Sequence, residues 1–568
     1  MIEAIRLLVF ILSNIGLWEI IRRNSKISEV FLPGLTIAIQ TCILFCAGLL
    51  NLLLEATYAI HYLGLISLVY FLIKDKNIRF IRHYLQIGYF YLFFVFLAML
   101  FFFRDQVFTH YDNFSHWALV VKSMLSTDRY PNFKDPLIQF SQYPLGSATY
   151  IYYFARLVKP YESIQMLAQG YMLVSSILPL FYFVKKRKLI STVIISAATL
   201  WFLTCNIAIT DLLVDTLLPL VATAGLIYAH IYSKQTDRRF EFFASSFYIT
   251  QLVLIKHSGI LFALFIMIPI LISIRHDHKV FPRLLCVALP FAALLLWNKH
   301  CEYVFVNAAY SKHSMTTSYL QAMFGKKTKE DIQTIISVFF RRSIFDKDVL
   351  LTLGIVVFVT ILAMLIFKNR KKHILFALML FAVYAIYQIG MLGMYLFSMP
   401  LGEALILASF ERYTKTILIF IMYLILIPVL QITSQYEAKT FRILGLSLIL
   451  LGAFGLYIHA SSATLEFTRA SSQQRNWIEN VKKNYDIPNR SSYTVLIPDH
   501  DDGYMYYLCR YIFQSPTVSD MIVESSQDLD QIDTEYMLIF DQENEIIKEW
   551  VLQYFPAQYG HEVIYVDR

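Results

Sequence analysis

Asp112 and His116 stand four residues apart in Tyr111-Asp112-Asn113-Phe114-Ser115-His116-Trp117, directly after a long apolar run. On a helix that spacing puts a carboxylate and an imidazole on one face. A carboxylate and an imidazole so placed can take a proton from a reacting hydroxyl. Ionisable residues at the mouth of a membrane span are costly to keep and point to function. The competing reading is an interfacial helix with Phe114, Trp117, Leu119 and Val120 as its apolar surface and Asp112 as its cap.

Further candidates follow along the chain. Tyr143-Pro144 opens a short helix, Ser147 to Val158, with tyrosines at 150, 152 and 153. Asp211 and Asp215, again four apart, enter a span on one helical face, where two carboxylates need cations, a metal or water. Asp211 can also be an acidic first turn favoured by the helix dipole; Asp215 lies deeper and fits that role less well. Lys256-His257 interrupts an apolar sequence; a lysine there suits a phosphate as a compact charge, or snorkels to the surface. Near Glu403, Ala408-Ser409-Phe410-Glu411-Arg412-Tyr413 puts Arg412 just outside the next span, as an anion clamp or an interfacial anchor.

What must position these residues is a membrane bundle. The chain is 57% hydrophobic and 16% charged with mean hydropathy +0.54, well below the charge content of about 25% usual in soluble domains. Apolar runs of spanning length cover Ile5–Ile21, Val30–Leu50, Ala56–Ile73, Leu85–Phe103, Ile164–Val184, Leu189–Ile209 and Leu212–Tyr232. Phe242–Ile255 and Ile260–Ile274 are two short spans or one broken pair; Leu284–Trp297, Val349–Phe367, Ile374–Phe397, Ile417–Ile432 and Ile443–Ile458 complete about fourteen. The net charge of +8 is not gathered into a stripe or tail, which argues against a nucleic-acid partner. Cys42, Cys46, Cys205 and Cys286 lie in or beside apolar runs and read as small buried hydrophobes.

Lys and Arg cluster in every second loop, from Arg22-Arg23-Lys26 to Lys439–Arg442, which marks those loops as cytoplasmic. Asp112, Asp211, Lys256, Arg412 and the C-terminal tail then share the outer face of a cytoplasmic membrane. From about Ser461 the composition turns soluble. Strands at Tyr493–Ile497, Met521–Val523, Tyr536–Phe540 and Glu562–Val566, with helices Gly503–Phe513 and Asn544–Phe555, predict a small α/β domain. Its role is either substrate contact or a structural cap. No Gly-rich loop follows a strand, so a nucleotide site is not supported.

In their order these residues resemble the GT-C superfamily of integral membrane glycosyltransferases, which use polyprenyl-phosphate-linked sugars. Leu85–Phe103 looks like the first core helix of that superfamily, Tyr111 to Trp117 like its Asp loop, and Tyr143-Pro144 like the start of its Tyr-Pro element. Leu145 stands where the second proline of that element commonly falls, and three spans precede the apparent core. Asp211 or Asp215 would match a second external Asp, and Lys256-His257-Ser258-Gly259 is similar to a Lys ahead of a Gly at a later span.

The resemblance implies a mainly α membrane bundle with extra helices over 1–84, a catalytic bundle over 85–460 containing external loop 104–163, and an extracytoplasmic α/β domain over 461–568. It implies transfer of a sugar from a polyprenyl phosphate to a glycan, lipid or protein acceptor. Asp112 would be the base with His116 beside it. Lys256, His257 and Arg412 would bind the donor phosphate. Asp211 or Asp215 would orient the acceptor or hold a divalent cation, with Tyr143 and Glu403 in support. A polymerase or ligase using diphosphate-linked chains, and a transporter or flippase, are the rival expectations.

Overall fold

The computed structural model describes residues 2–75, 80–233, 239–274, 280–305, 317–435 and 472–566. Among these, eight helices are long and apolar enough to cross a membrane: Ile2–Asn24, Glu29–Leu49, Leu53–Asp75, Glu162–Phe183, Val280–Val304, Lys347–Ile366, Arg370–Phe397 and Phe410–Ser434. Five shorter apolar helices accompany them. The expected span Ile443–Ile458 lies outside the described residues, as do the basic stretches Arg275–Lys279 and Lys439–Arg442.

The first three helices are α1 (Ile2–Asn24), α2 (Leu32–Leu49) and α3 (Leu53–Asp75). α1 and α3 pack through small residues: a Cβ at Gly16 would sit 1.9 Å from the carbonyl oxygen of Gly64, and one at Gly64 would sit 2.3 Å from that of Ser13. Without a side chain at either position the backbones approach closely, which is how apolar helices gain dispersion contact where no hydrophobic effect drives them together. α2 is mostly buried and joins the site's surroundings through Gln40, whose Nε2 donates to Tyr153 Oη at 3.4 Å.

α4 (Ile87–Phe103) leads into the loop that bears Asp112. A five-residue π-helical turn, Asn113–Trp117, runs into α5 (Ala118–Thr127), and α6 (Gly146–Leu157) and α7 (Glu162–Ile177) follow. α8 (Lys188–Thr204) and α9 (Leu217–Tyr232) flank the loop carrying Asp211 and Asp215. The apolar run around Lys256 resolves into a broken pair, α10 (Ser245–Ile255) and α11 (Gly259–Ile272), with Lys256 extended between them at φ −160° and ψ 148°. Gly259 makes that break possible, because a Cβ there would stand 2.1 Å from the carbonyl oxygen of Leu252. α12 (Val280–Val304), α13 (Lys329–Phe345), α14 (Lys347–Ile366), α15 (Arg370–Phe397) and α16 (Phe410–Gln435) complete the bundle.

The C-terminal part contains α17 (Gln473–Tyr485), α18 (Tyr504–Phe513), α19 (Glu545–Tyr554) and strands β1 (Tyr493–Leu496), β2 (Val518–Met521), β3 (Tyr536–Ile539) and β4 (Val563–Tyr565). The sheet order is β2-β1-β3-β4, parallel except for β4. β2 starts earlier than the apolar run Met521–Val523 suggests, because its register with β1 pairs Val495 with Asp520.

This domain sits on the Asp112 loop. Arg475 is 3% exposed and donates to the Phe108 carbonyl at 2.6 Å and to Glu162 at 2.9 Å. Tyr504 Oη donates to the Thr109 carbonyl at 2.9 Å, and Tyr511 Oη to Glu162 at 2.9 Å. The rings of Tyr504 and Tyr511 lie against Phe114, at 5.7 and 5.3 Å between centroids. Phe114, Leu119 and Val120, read as the apolar surface of an interfacial helix, are buried inside the protein, Phe114 beneath this domain. An amphipathic pattern specifies an apolar neighbour but not which one, and here the neighbour is protein.

Candidate active site

Four charged side chains from four separate segments meet at one point. Arg412, in the first turn of α16, donates from Nη1 to Asp112 Oδ2 at 2.7 Å, and its Nε lies 3.7 Å from Asp215 Oδ2. Lys256, in the break between α10 and α11, donates from Nζ to Asp215 Oδ1 at 2.9 Å. The four charges cancel. Side-chain exposure runs from 27% at Asp112 and 25% at Arg412 through 16% at Lys256 to 5% at Asp215, so the cluster has a floor and an open side.

The helices behind the cluster are short. α9 has 16 residues and α11 has 14, which at 1.5 Å per residue reach about 24 and about 21 Å. A hydrocarbon core is about 30 Å thick. Both helices are shorter than that, and neither is among the helices long enough to cross. Asp215 is buried and Lys256 mostly so, and a carboxylate and an ammonium in that setting persist because they are paired.

Tyr413 closes one side of the cluster, its ring centroid 5.1 Å from the Lys256 ammonium and 5.3 Å from the Arg412 guanidinium. The Lys256 ammonium keeps two N–H groups for a ligand, since Asp215 takes one of its three; Arg412 Nε is buried without a hydrogen-bond partner and faces Asp215.

Asp211 takes a different place from the one its spacing suggests. Residues 211–216 are not helical, so Asp211 and Asp215 do not share a face. Gln169 Nε2 donates to the carbonyls of Asp211 at 2.8 Å and Leu213 at 3.2 Å, which holds this loop out of a helix. Asp211 Oδ1 accepts from Asn113 Nδ2 at 3.0 Å, while Asn113 Oδ1 accepts the N–H of Leu212 at 3.0 Å. The carboxyl is buried, which pushes its pKa up to about 6. Asp211 and Asn113 thus form a brace that locks the Asp112 loop to the loop of Asp215.

His116 is buried in an aromatic box of Trp117, Phe140 and Tyr143, with ring centroids at 5.0, 5.5 and 5.0 Å. Burial pushes its pKa down to about 3, so the imidazole is neutral near pH 7, and Nδ1 has no partner. His257 turns away from the ions: its Nε2 donates to the Gln142 carbonyl at 3.0 Å, which also accepts from Trp297 Nε1 at 2.9 Å. These two bonds fix the turn that presents Tyr143. Glu403 lies on the short helix Leu401–Leu405, and the two cations pair with Asp112 and Asp215 rather than with it.

Among the described residues no three His, Cys, Asp or Glu side chains converge as a metal site. Asp215 is already neutralised by two cations and Asp211 faces Asn113, so the two carboxylates do not fit a divalent ion held between them. Sequence reasoning missed Asn113 and Gln142, which place the cluster through contacts remote in sequence. Asn113 could have been noticed only as an amide flanked by site candidates; Gln142 acts through its backbone carbonyl and carries no sequence signal. No family model, no curated protein and no solved structure matches this chain.

Proposed function

We propose that this protein is a membrane glycosyltransferase that moves one sugar from a polyprenyl-phosphate donor to a hydroxyl of an envelope glycan, lipid or protein. The observation that carries the reading is the chain of ion pairs Asp112–Arg412–Asp215–Lys256. It combines a carboxylate on the open side with two cations carried at the ends of apolar helices. A lipid phosphate needs that arrangement: its charge among the cations, its chain among the helices.

In the reaction the acceptor oxygen attacks the anomeric carbon as the bond from that carbon to the phosphate oxygen breaks. The electron pair leaves with the phosphate, and Arg412 and Lys256 stabilise the charge that develops there. The acceptor proton passes to Asp112. Because Asp112 rests on Arg412, the donor phosphate has to take over that guanidinium, and this exchange frees the carboxylate as the base arrives at its task. His116, neutral and enclosed by aromatics, supports the loop beside it, and Tyr143 lines the same wall.

The break at Lys256 also suits a transport site, since discontinuous helices hold ions in many carriers. Mass spectrometry of lipid-linked sugars and envelope glycans, with and without the gene, separates these readings. Transfer predicts an accumulating monophosphate-linked donor together with a glycan lacking one sugar. An accumulating diphosphate-linked chain points instead to a polymerase or ligase. Unchanged lipid-linked sugars contradict all three glycan-handling activities.

A further inference from the structure

A charged recess lies where the C-terminal domain meets the external loop. It is a cavity of about 410 Å³, a size typical of small-molecule sites. Lys122 of α5, Arg129, Lys134 and Asp135 of the following turn, and Arg490 and Gln514 of the C-terminal domain line it. Asp135 is already engaged by Arg129, at 2.7 Å. Lys122, Lys134 and Arg490 have no ion-pair partner among the described residues.

Lys122 is the informative member. Its side chain is half-buried, and its ammonium donates to the Tyr511 carbonyl at 2.5 Å and sits 4.1 Å from the Tyr511 ring centroid. Glu162, the nearby carboxylate, is occupied by Arg475, Tyr511 and the Phe108 N–H. Buried ammonium groups are ordinarily paired, because an uncompensated one is costly to desolvate. Burial pushes the Lys122 pKa down to about 8, with Glu162 opposing the shift and Lys482 and Arg475 adding to it. Lys134 and Arg490 are exposed at the rim. Arg490 is held in the left-handed region, at φ 69°, by its N–H bond to the Phe513 carbonyl at 3.0 Å.

We propose that this cavity binds an anionic part of the acceptor, a phosphate- or carboxylate-bearing segment of a glycan, and so selects a negatively charged acceptor for the transfer. The identification as acceptor rests on the glycosyltransferase reading; the anion site itself does not. The cavity begins on α5, which runs directly from the π-turn after Asp112, so one continuous segment carries both the anion site and the base.

The test is calorimetry on the full-length protein in detergent, with a glycerol phosphate trimer as the charged ligand and maltotriose as the neutral one. The wild type is expected to bind the phosphodiester at least tenfold more tightly, with the preference shrinking as salt rises. Lys134→Glu with Arg490→Glu, both at exposed positions, should abolish the preference while the chromatographic profile stays native. Equal affinity for the two ligands, or a preference that survives the double variant, overturns the proposal. If the preference holds but no sugar transfer occurs in the wild type, the anion site stands and the transfer reading falls. If transfer proceeds and the double variant leaves the acceptor KM unchanged, the acceptor role falls alone.

Discussion

Replacing Asp215 by Asn removes the carboxylate that holds two cations at the floor of the cluster. Asp215 stands 2.9 Å from Lys256 Nζ and 3.7 Å from Arg412 Nε. At an effective dielectric of about 20, these distances give gross attractions of about 6 and about 4 kcal/mol. The carboxylate also recovers its own desolvation cost when it is removed, so the net loss is smaller, about 3–5 kcal/mol for one member of a buried pair. Lys256→Met costs less, because Asp215 keeps Arg412. In the double variant Arg412 and Asp112 remain as a neutral pair. Its cost should therefore fall short of the sum of the singles by about 0.5–3 kcal/mol. Unfolding midpoints of the four proteins in one detergent, compared as a double-mutant cycle, measure this. Strict additivity would mean that Lys256 and Asp215 do not interact, and the cluster would lose its floor.

Asp211→Asn should stabilise the protein more at pH 7.5 than at pH 4.5. The Asp211 pKa is about 6 when folded and about 3.9 when unfolded. The folded state binds the extra proton between those values, and stability is lost as pH rises through that window. The Asn variant escapes the loss, and equal shifts at both pH values would contradict the buried placement of Asp211. His116 acts in the opposite sense. Its folded pKa of about 3 lies below the unfolded value of about 6.5, so its contribution is complete above 6.5 and is lost as pH falls toward 3. His116→Gln should flatten the acid side of the melting profile, and an unaltered acid limb would argue against the aromatic box. Gly259→Ala pushes a methyl toward the Leu252 carbonyl, 2.1 Å away, and should lower the melting midpoint by an amount equivalent to about 1–3 kcal/mol. Gly354→Ala, on α14 with nothing within 4 Å, should be neutral or stabilising by about 0.5–1 kcal/mol. Similar behaviour of the two alanines would refute the tight turn at Lys256.

The helices were legible in the sequence because apolar length alone specifies them; each expected span within the described residues contains a helix, although Leu189–Ile209 and Leu212–Tyr232 are helical only over Lys188–Thr204 and Leu217–Tyr232. The break at Lys256 was legible as an alternative, since a lysine and a histidine interrupt the run and Gly259 follows. Side-chain partners were less so. The four-residue spacing of Asp211 and Asp215 implied one helical face, but Gln169 and Asn113 hold that loop open, and neither contact has a local signature. Phe114 and Leu119 read as the apolar surface of an interfacial helix, because periodicity records apolarity and not the identity of the neighbour. Arg412 and Asp112 are 300 positions apart; loop charge put both on one face, but their direct ion pair has no signature in the sequence.

The central claim is that Asp112 receives the acceptor proton while Arg412 and Lys256 hold the departing phosphate. The most direct measurement is single-turnover sugar transfer from a polyprenyl-phosphate-linked donor by purified Asp112→Asn protein in lipid. The account predicts a rate lower by at least 10²–10⁴, the usual worth of a general base, with donor binding retained because Arg412 is then free of its carboxylate. Transfer by the Asn variant at the wild-type rate would contradict it.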